Sequence, residues 1–158
     1  MTDAEDKPVI KRDAAATKAR ILKAGLAEFG ARGYDGARTV SIAKRAKCNI
    51  RMLYHYFGGK EGLYLACLQK VYLHIREEEQ KLNLCDLSPV EALEKLVHFT
   101  FDHMRKNPDF VNLAGAENTM KGKFIKKLPL VAKAANSLVD AIEDILVHGE
   151  KECGFIPH

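Results

Sequence analysis

Arg51, Tyr54, His55 and Lys60 bring four kinds of polar chemistry into ten consecutive residues. A guanidinium can grip a guanine edge through two parallel hydrogen bonds. A phenol, an imidazole and an ammonium can each donate to phosphate oxygens. Ile50 and Met52 flank the arginine and offer apolar contact to a thymine methyl. This is the chemistry of recognition.

The elements that must position these groups lie in residues 39–64, TVSIAKRAKCNIRMLYHYFGGKEGLY. Thr39 is a good helix N-cap, and Ile42, Ala43 and Ala46 form a short apolar stripe behind it. Lys47-Cys48-Asn49 makes a turn, with Asn49 capping the next helix. Ile50 to Phe57 is barely two turns long, and only Leu53 and Phe57, at i and i+4, must face inward. A helix this short is unstable alone, so its neighbours must hold it. Two short helices joined by a tight turn form a helix-turn-helix, whose second helix enters the major groove of DNA.

Residues 17–64 resemble the N-terminal domain of TetR-family transcriptional regulators. The resemblance rests on Ile21-Leu22, Phe29, Gly33-Tyr34, Thr39, Ile42-Ala43, Ala46, Leu53-Tyr54, Tyr56-Phe57, Lys60-Glu61 and Leu63. It implies an all-α fold: a three-helix DNA-binding head, then a helical-bundle domain for ligand binding and dimerisation. It also implies a ligand-responsive repressor that binds a palindromic operator as a homodimer. In that scheme Arg51 reads a base, and Ile50 and Met52 touch a thymine methyl. Thr39, Tyr54, His55 and Lys60 hold phosphates and fix register. The chain departs from the family pattern at Lys47, where Gly is usual; a positive φ there would strain a lysine by about 1 kcal/mol. Gly58-Gly59 replaces a stronger cap, and Ile50, Arg51 and Met52 stand where small or hydroxylic residues are common. The operator sequence therefore cannot be borrowed from a relative.

Charge supports a DNA-reading head. Residues 1–60 hold 13 Lys and Arg against 6 Asp and Glu; residues 61–158 hold 12 against 15. A basic half beside a mildly acidic one fits a head that meets DNA and a body that does not. The N-terminus lacks the apolar stretch of a signal peptide, and no run is long and apolar enough to span a membrane. Four scattered cysteines, Cys48, Cys67, Cys85 and Cys153, fit a reduced cytoplasmic protein without disulfides or zinc.

Helix 1 is expected from about Ala14 to Arg32, after a flexible basic arm over residues 1–13. The head then occupies 14–60 and the body 61–158. Helix 4 runs from Lys60 to about Lys81 and joins the two. Ser88-Pro89-Val90-Glu91 is a start signal for helix 5: an N-cap, a Pro at N1 and a Glu to close a capping box. Pro108 restarts the chain after Asn107, and Pro129 opens a last long helix to about Cys153. Asn107-Pro108, Glu117-Asn118 and Gly154-Phe155 resemble one variety of the same family's second domain. The resemblance implies further helices past His158. The body is therefore expected to be incomplete at its C-terminal end, unless dimerisation differs. The implied effector is a small apolar molecule bound among helices 4 to 7. Phe99, Phe101, Met104, Phe110, Leu113, Met120 and Phe124 are its candidate lining, although stripes of this kind are usually core.

No catalytic or metal-binding motif is evident, and neither a cofactor nor a metal is expected. Glu94, His98 and Asp102 share one helix face at i, i+4 and i+8, which reads as a solvated side. The sequence is thus read as a DNA-binding regulator. The competing reading is a helical sensor or interaction module whose helix-turn-helix has lost DNA affinity.

Overall fold

The computed structural model describes residues 7–152. Through them run α1 (Lys7–Gly36), α2 (Thr39–Arg45), α3 (Ile50–Phe57), α4 (Lys60–Gln80), α5 (Pro89–Lys106), α6 (Pro108–Thr119) and α7 (Pro129–Glu152). Short 3-10 turns at Leu84–Asp86 and Ile125–Lys127 precede α5 and α7. No strand occurs among the described residues, and the fold is all-α. The chain divides into two compact units between Leu68 and Gln69, inside α4.

Helix α1 starts at Lys7, earlier than Ala14. Pro8 lies in the first turn, where no N–H is required, and Ala14-Ala15-Ala16 favours helix. Of the expected arm, residues 1–6 lie outside the described residues and the rest is helical. Gly33 breaks the helical geometry with φ +65°, a conformation that suits glycine.

Helix α2 ends in a Schellman motif. The Cys48 N–H donates to the Ala43 carbonyl and the Lys47 N–H to the Lys44 carbonyl, both at 3.1 Å. The residue in the left-handed conformation is Lys47, with φ 52°. The Asn49 side chain then accepts the Arg51 N–H at 2.9 Å and starts α3.

The first unit closes around Ile21, Phe29, Ile42, Leu53, Leu63, Tyr64, Cys67 and Leu68, all buried. Phe29, Tyr34 and Tyr64 form an aromatic cluster. Tyr64 lies 4.9 Å from Phe29 and 5.0 Å from Tyr34, centroid to centroid. Gly25 permits a close helix approach, since a Cβ there would come within 3.1 Å of Cys67 Sγ and 3.2 Å of Leu63.

In the second unit α5 packs on α6 and α7. Its start follows the expected box: the Glu91 carboxylate accepts the Ser88 hydroxyl at 2.6 Å and the Ser88 N–H at 3.1 Å. Ala92, Leu96, Phe110, Leu113, Phe124 and Val131 are buried. So is Glu117, whose carboxylate accepts the backbone N–H groups of Phe124 at 3.0 Å and Ile125 at 2.9 Å. It thereby fixes the loop between α6 and α7. His103, 6% exposed, sits among Phe99, Phe110 and His74, each ring 5.6 Å away. Its Nε2 has no hydrogen-bond partner among the described residues. Burial pushes its pKa down, as do the charges of His74 and Arg76, and Glu78 opposes them.

Two predictions follow from these buried groups. Removing the Glu117 carboxylate leaves two backbone donors unsatisfied, so Glu117→Ala is expected to cost about 2–4 kcal/mol in urea unfolding. Glu117→Gln keeps one acceptor and restores part of the loss. His103 resists protonation when folded. Its contribution is present above the unfolded imidazole value of about 6.5 and is lost as pH falls through it toward the lowered folded value. Unfolding midpoints near pH 7.5 and 5.5 are therefore expected to differ less in His103→Phe than in the unmodified chain. An equal difference in the two proteins would contradict this account.

Candidate nucleic-acid interface

Helix α3 has eight residues, so its side chains divide sharply between an inward anchor and an outward face. Leu53 is completely buried. Ile50, Tyr56 and Phe57 flank it and are half-buried. At about 100° per residue, Arg51 and His55 fall opposite Leu53, with Met52 and Tyr54 on either side. All four are exposed, Tyr54 by 52% and Met52 by 36%. Arg51, Met52, Tyr54 and His55 thus share one outward face, whereas Ile50, expected beside them, lies on the Leu53 side. His55 and Tyr56 meet edge to face at 5.0 Å, and a Cβ at Gly59 would touch the Tyr54 ring at 3.4 Å.

Thr39 and Lys60 stand at the starts of the neighbouring helices. Thr39 is half-buried and is the first residue of α2, not its cap. The cap position belongs to Arg38, whose side chain makes no capping bond. The capping acceptor comes instead from α1. Glu28, 3% exposed, accepts the Arg38 N–H at 3.4 Å. Its carboxylate also lies 3.4 Å from Arg32 Nε and 3.9 Å from Arg45 Nη2. Sequence reasoning missed Glu28, although a carboxylate beside Phe29 on the buried face of α1 was the available signal. Lys60 Nζ donates to the Asp35 carbonyl at 3.1 Å and sits 4.9 Å from the Tyr34 ring centroid. It ties the end of α1 to the start of α4, so any phosphate must share or replace that contact.

The seven pocket candidates do not converge on one cavity. Phe110, Leu113 and Phe124 are core, while Phe99 and Met120 are half-buried. Phe101 is 69% exposed and Met104 44%. The reason is the rotation of α5: its inward stripe is Ala92, Leu96 and His103, which turns Phe101 and Met104 outward. Phe99 borders a groove of about 580 Å³ that also includes His74, His98 and His103. Another groove, of about 440 Å³, has Leu84, Leu87, Pro89, Ala141 and Ile145 in its wall. On the solvated face of α5, Asp102 pairs with Arg105 at 3.1 Å and Lys106 at 3.6 Å. The hydrogen bond from Arg105 and the Lys106 charge hold its carboxyl below the usual range.

Comparison with known proteins gives this arrangement a family. Residues 21–67 match the profile described as bacterial regulatory proteins, tetR family. Residues 89–158 match the tetracyclin repressor-like C-terminal domain. A crystal structure of a HlyIIR mutant, with residues 169–186 replaced by a linker, shares 30% identity and a TM-score of 0.69. The match covers 91% of this chain and 76% of that one. The chain belongs to the TetR family. Among curated relatives, the HTH-type transcriptional repressor NicS of Pseudomonas putida is 34% identical over 134 residues, 85% of this chain and 63% of NicS. The transcriptional regulator RutR of Escherichia coli K12 is 33% identical over 110 residues, 68% of this chain and 51% of RutR. The chain therefore spans less than two thirds of the length of these curated relatives.

The division of labour on α3 is directly testable. Leu53→Ala empties the anchor site and is expected to destabilise the chain by about 2–5 kcal/mol. Arg51→Ala, on the opposite face, is expected to stay within about 0.5 kcal/mol. Thermal unfolding of the two variants checks the contrast; comparable losses would show that Arg51 is structural.

Proposed function

We propose that this TetR-family chain acts as a DNA-binding transcriptional repressor in the cytoplasm, without enzymatic activity. The observation that carries this reading is the outward face of α3, where Arg51, Met52, Tyr54 and His55 are exposed opposite the buried Leu53. Arg51 lies near the start of α3, where recognition helices meet base edges, and takes a guanine. Ile50 and Met52 meet a thymine methyl. Thr39, Tyr54, His55 and Lys60 bind phosphates.

The functional unit is a homodimer on a near-palindromic operator, with recognition helices about 34–36 Å apart. One short helix supplies too little discrimination against random DNA, and two half-sites supply more. The second unit offers the apolar surface for assembly. Val131 and Ile145 of α7 are buried, whereas Leu130, Val139, Leu146 and Val147 are exposed. A helix that is apolar beyond one stripe needs more than one burial partner. An apolar effector bound in the second unit acts only through its different affinities for DNA-competent and incompetent states. Of the seven candidates only Phe99 borders a groove, with His74, His98 and His103, so that groove is the site proposed for it. NicS is named a repressor, which supports the sign of regulation.

Selection from a pool of randomised duplexes tests the reading. It is expected to recover a near-palindrome. Arg51→Ala is expected to lose about 1–3 kcal/mol on that sequence and to relax choice at one symmetry-related pair of positions. A uniform loss across single-base variants would assign Arg51 to the backbone. Failure of the unmodified chain to retain any duplex would leave a sensor module without DNA affinity.

A further inference from the structure

The first unit carries a second charged feature, formed by α1 and the turn that leads into α3. A groove of about 460 Å³ has Ala24, Ala27 and Ala46 along its floor, with Arg20, Lys23, Arg45 and Lys47 around its rim. All four cations are exposed. Arg20 donates to the Thr17 hydroxyl at 3.0 Å, which uses one of its five donors. Among the described residues neither Lys23 nor Lys47 has an ion-pair partner. The carboxylate nearest Arg45 is the buried Glu28, at 3.9 Å and shared with Arg32. The rim is therefore a concentration of positive charge with little local compensation.

Lys47 supplies an independent observation. Its φ of 52° lies in the left-handed region, where a non-glycine residue is strained by about 1 kcal/mol. Glycine would complete the same Schellman turn without that strain. Strain kept where the fold offers a cheaper residue points to a use for the side chain. Here that side chain is an ammonium on the rim of a basic groove. Lys47 also precedes the first residue of α3 by only three positions.

We propose that this groove binds the phosphodiester backbone of duplex DNA beside the bases that α3 reads. The inference rests on the DNA-binding reading above and extends the contact surface to α1. DNA carries one negative charge per about 1.7 Å of helix axis, and each neutralised phosphate releases counterions. Exposed lysines around an apolar floor suit such contacts: they are point charges that position a backbone without reading sequence.

The test is the salt dependence of binding to a random-sequence duplex about four helical turns long, read by fluorescence anisotropy. The double variant Lys23→Gln, Lys47→Gly removes two charges and relieves the strained turn, so the fold is retained; its unfolding midpoint verifies this. The slope of log K against log salt is expected to become shallower by about two units in the double variant. Lys23→Arg alone is expected to leave the slope unchanged. An unaltered slope in the double variant, with both proteins still bound, would overturn the groove while leaving α3 as the DNA reader. Saturable stabilisation by inorganic phosphate, together with an unaltered slope on DNA, would likewise overturn it and make the groove a small-anion site. No binding by the unmodified chain would remove the functional reading itself, and the groove with it.

Discussion

An eight-residue helix cannot hold itself together in water, and the first unit is organised around that constraint. Burying Leu53 contributes about 1.5–3 kcal/mol, enough to matter only if the site that receives it is rigid. The rigidity comes from several sources. Asn49 caps the start of α3. The Schellman turn fixes its entry. The Phe29, Tyr34 and Tyr64 cluster and the Lys60–Asp35 bond join α1 to α4. The outward face of α3 is thus a by-product of packing: it is defined because the inward face has one place to go.

Buried carboxylates recur in both units in the same role. Glu28 receives an N–H at the start of α2, and Glu117 receives two at the turn before α7. Each sits on a helix face that otherwise packs inward, and each satisfies backbone donors that its own segment leaves open. Such groups are costly to bury without partners and specific once partnered. They pin a loop or a helix start to a distant element, which apolar contacts alone do less selectively. Arg76 and Glu79, 2.6 Å apart and largely withdrawn from water, show the other side of the balance, since burial raises the Glu79 pKa against the pull of its partner.

Much of the architecture was legible in the residues because helix ends have local chemistry. Pro89, Pro108 and Pro129 mark starts, Ser88 with Glu91 closes a box, and Asn49 caps α3. The family's usual Gly at position 47 raised a positive φ only as a condition, and Lys47 does adopt one. Thr39 was misread because the acceptor that serves α2 is Glu28, ten residues before Arg38. Local sequence does not reveal such a tertiary partner. The same limit applies to the body. Phe101 and Met104 have the composition of a pocket wall, yet the rotation of α5 turns them outward. Periodicity shows that a helix has two faces; which face meets which neighbour is decided by packing.

The arrangement of α3 also bears on how such a protein can change. Its fully buried side chain, Leu53, lies opposite the exposed Arg51 and His55, with the exposed Met52 and Tyr54 to either side. Exposed positions of this kind tolerate most substitutions within about 0.5 kcal/mol. Mutational drift on the outer face therefore proceeds almost free of folding cost, while the anchor stays under stability constraint. New outer faces are reachable by single replacements through intermediates that all remain folded. The short helix, weak as an isolated element, is in that sense an easily exchanged one.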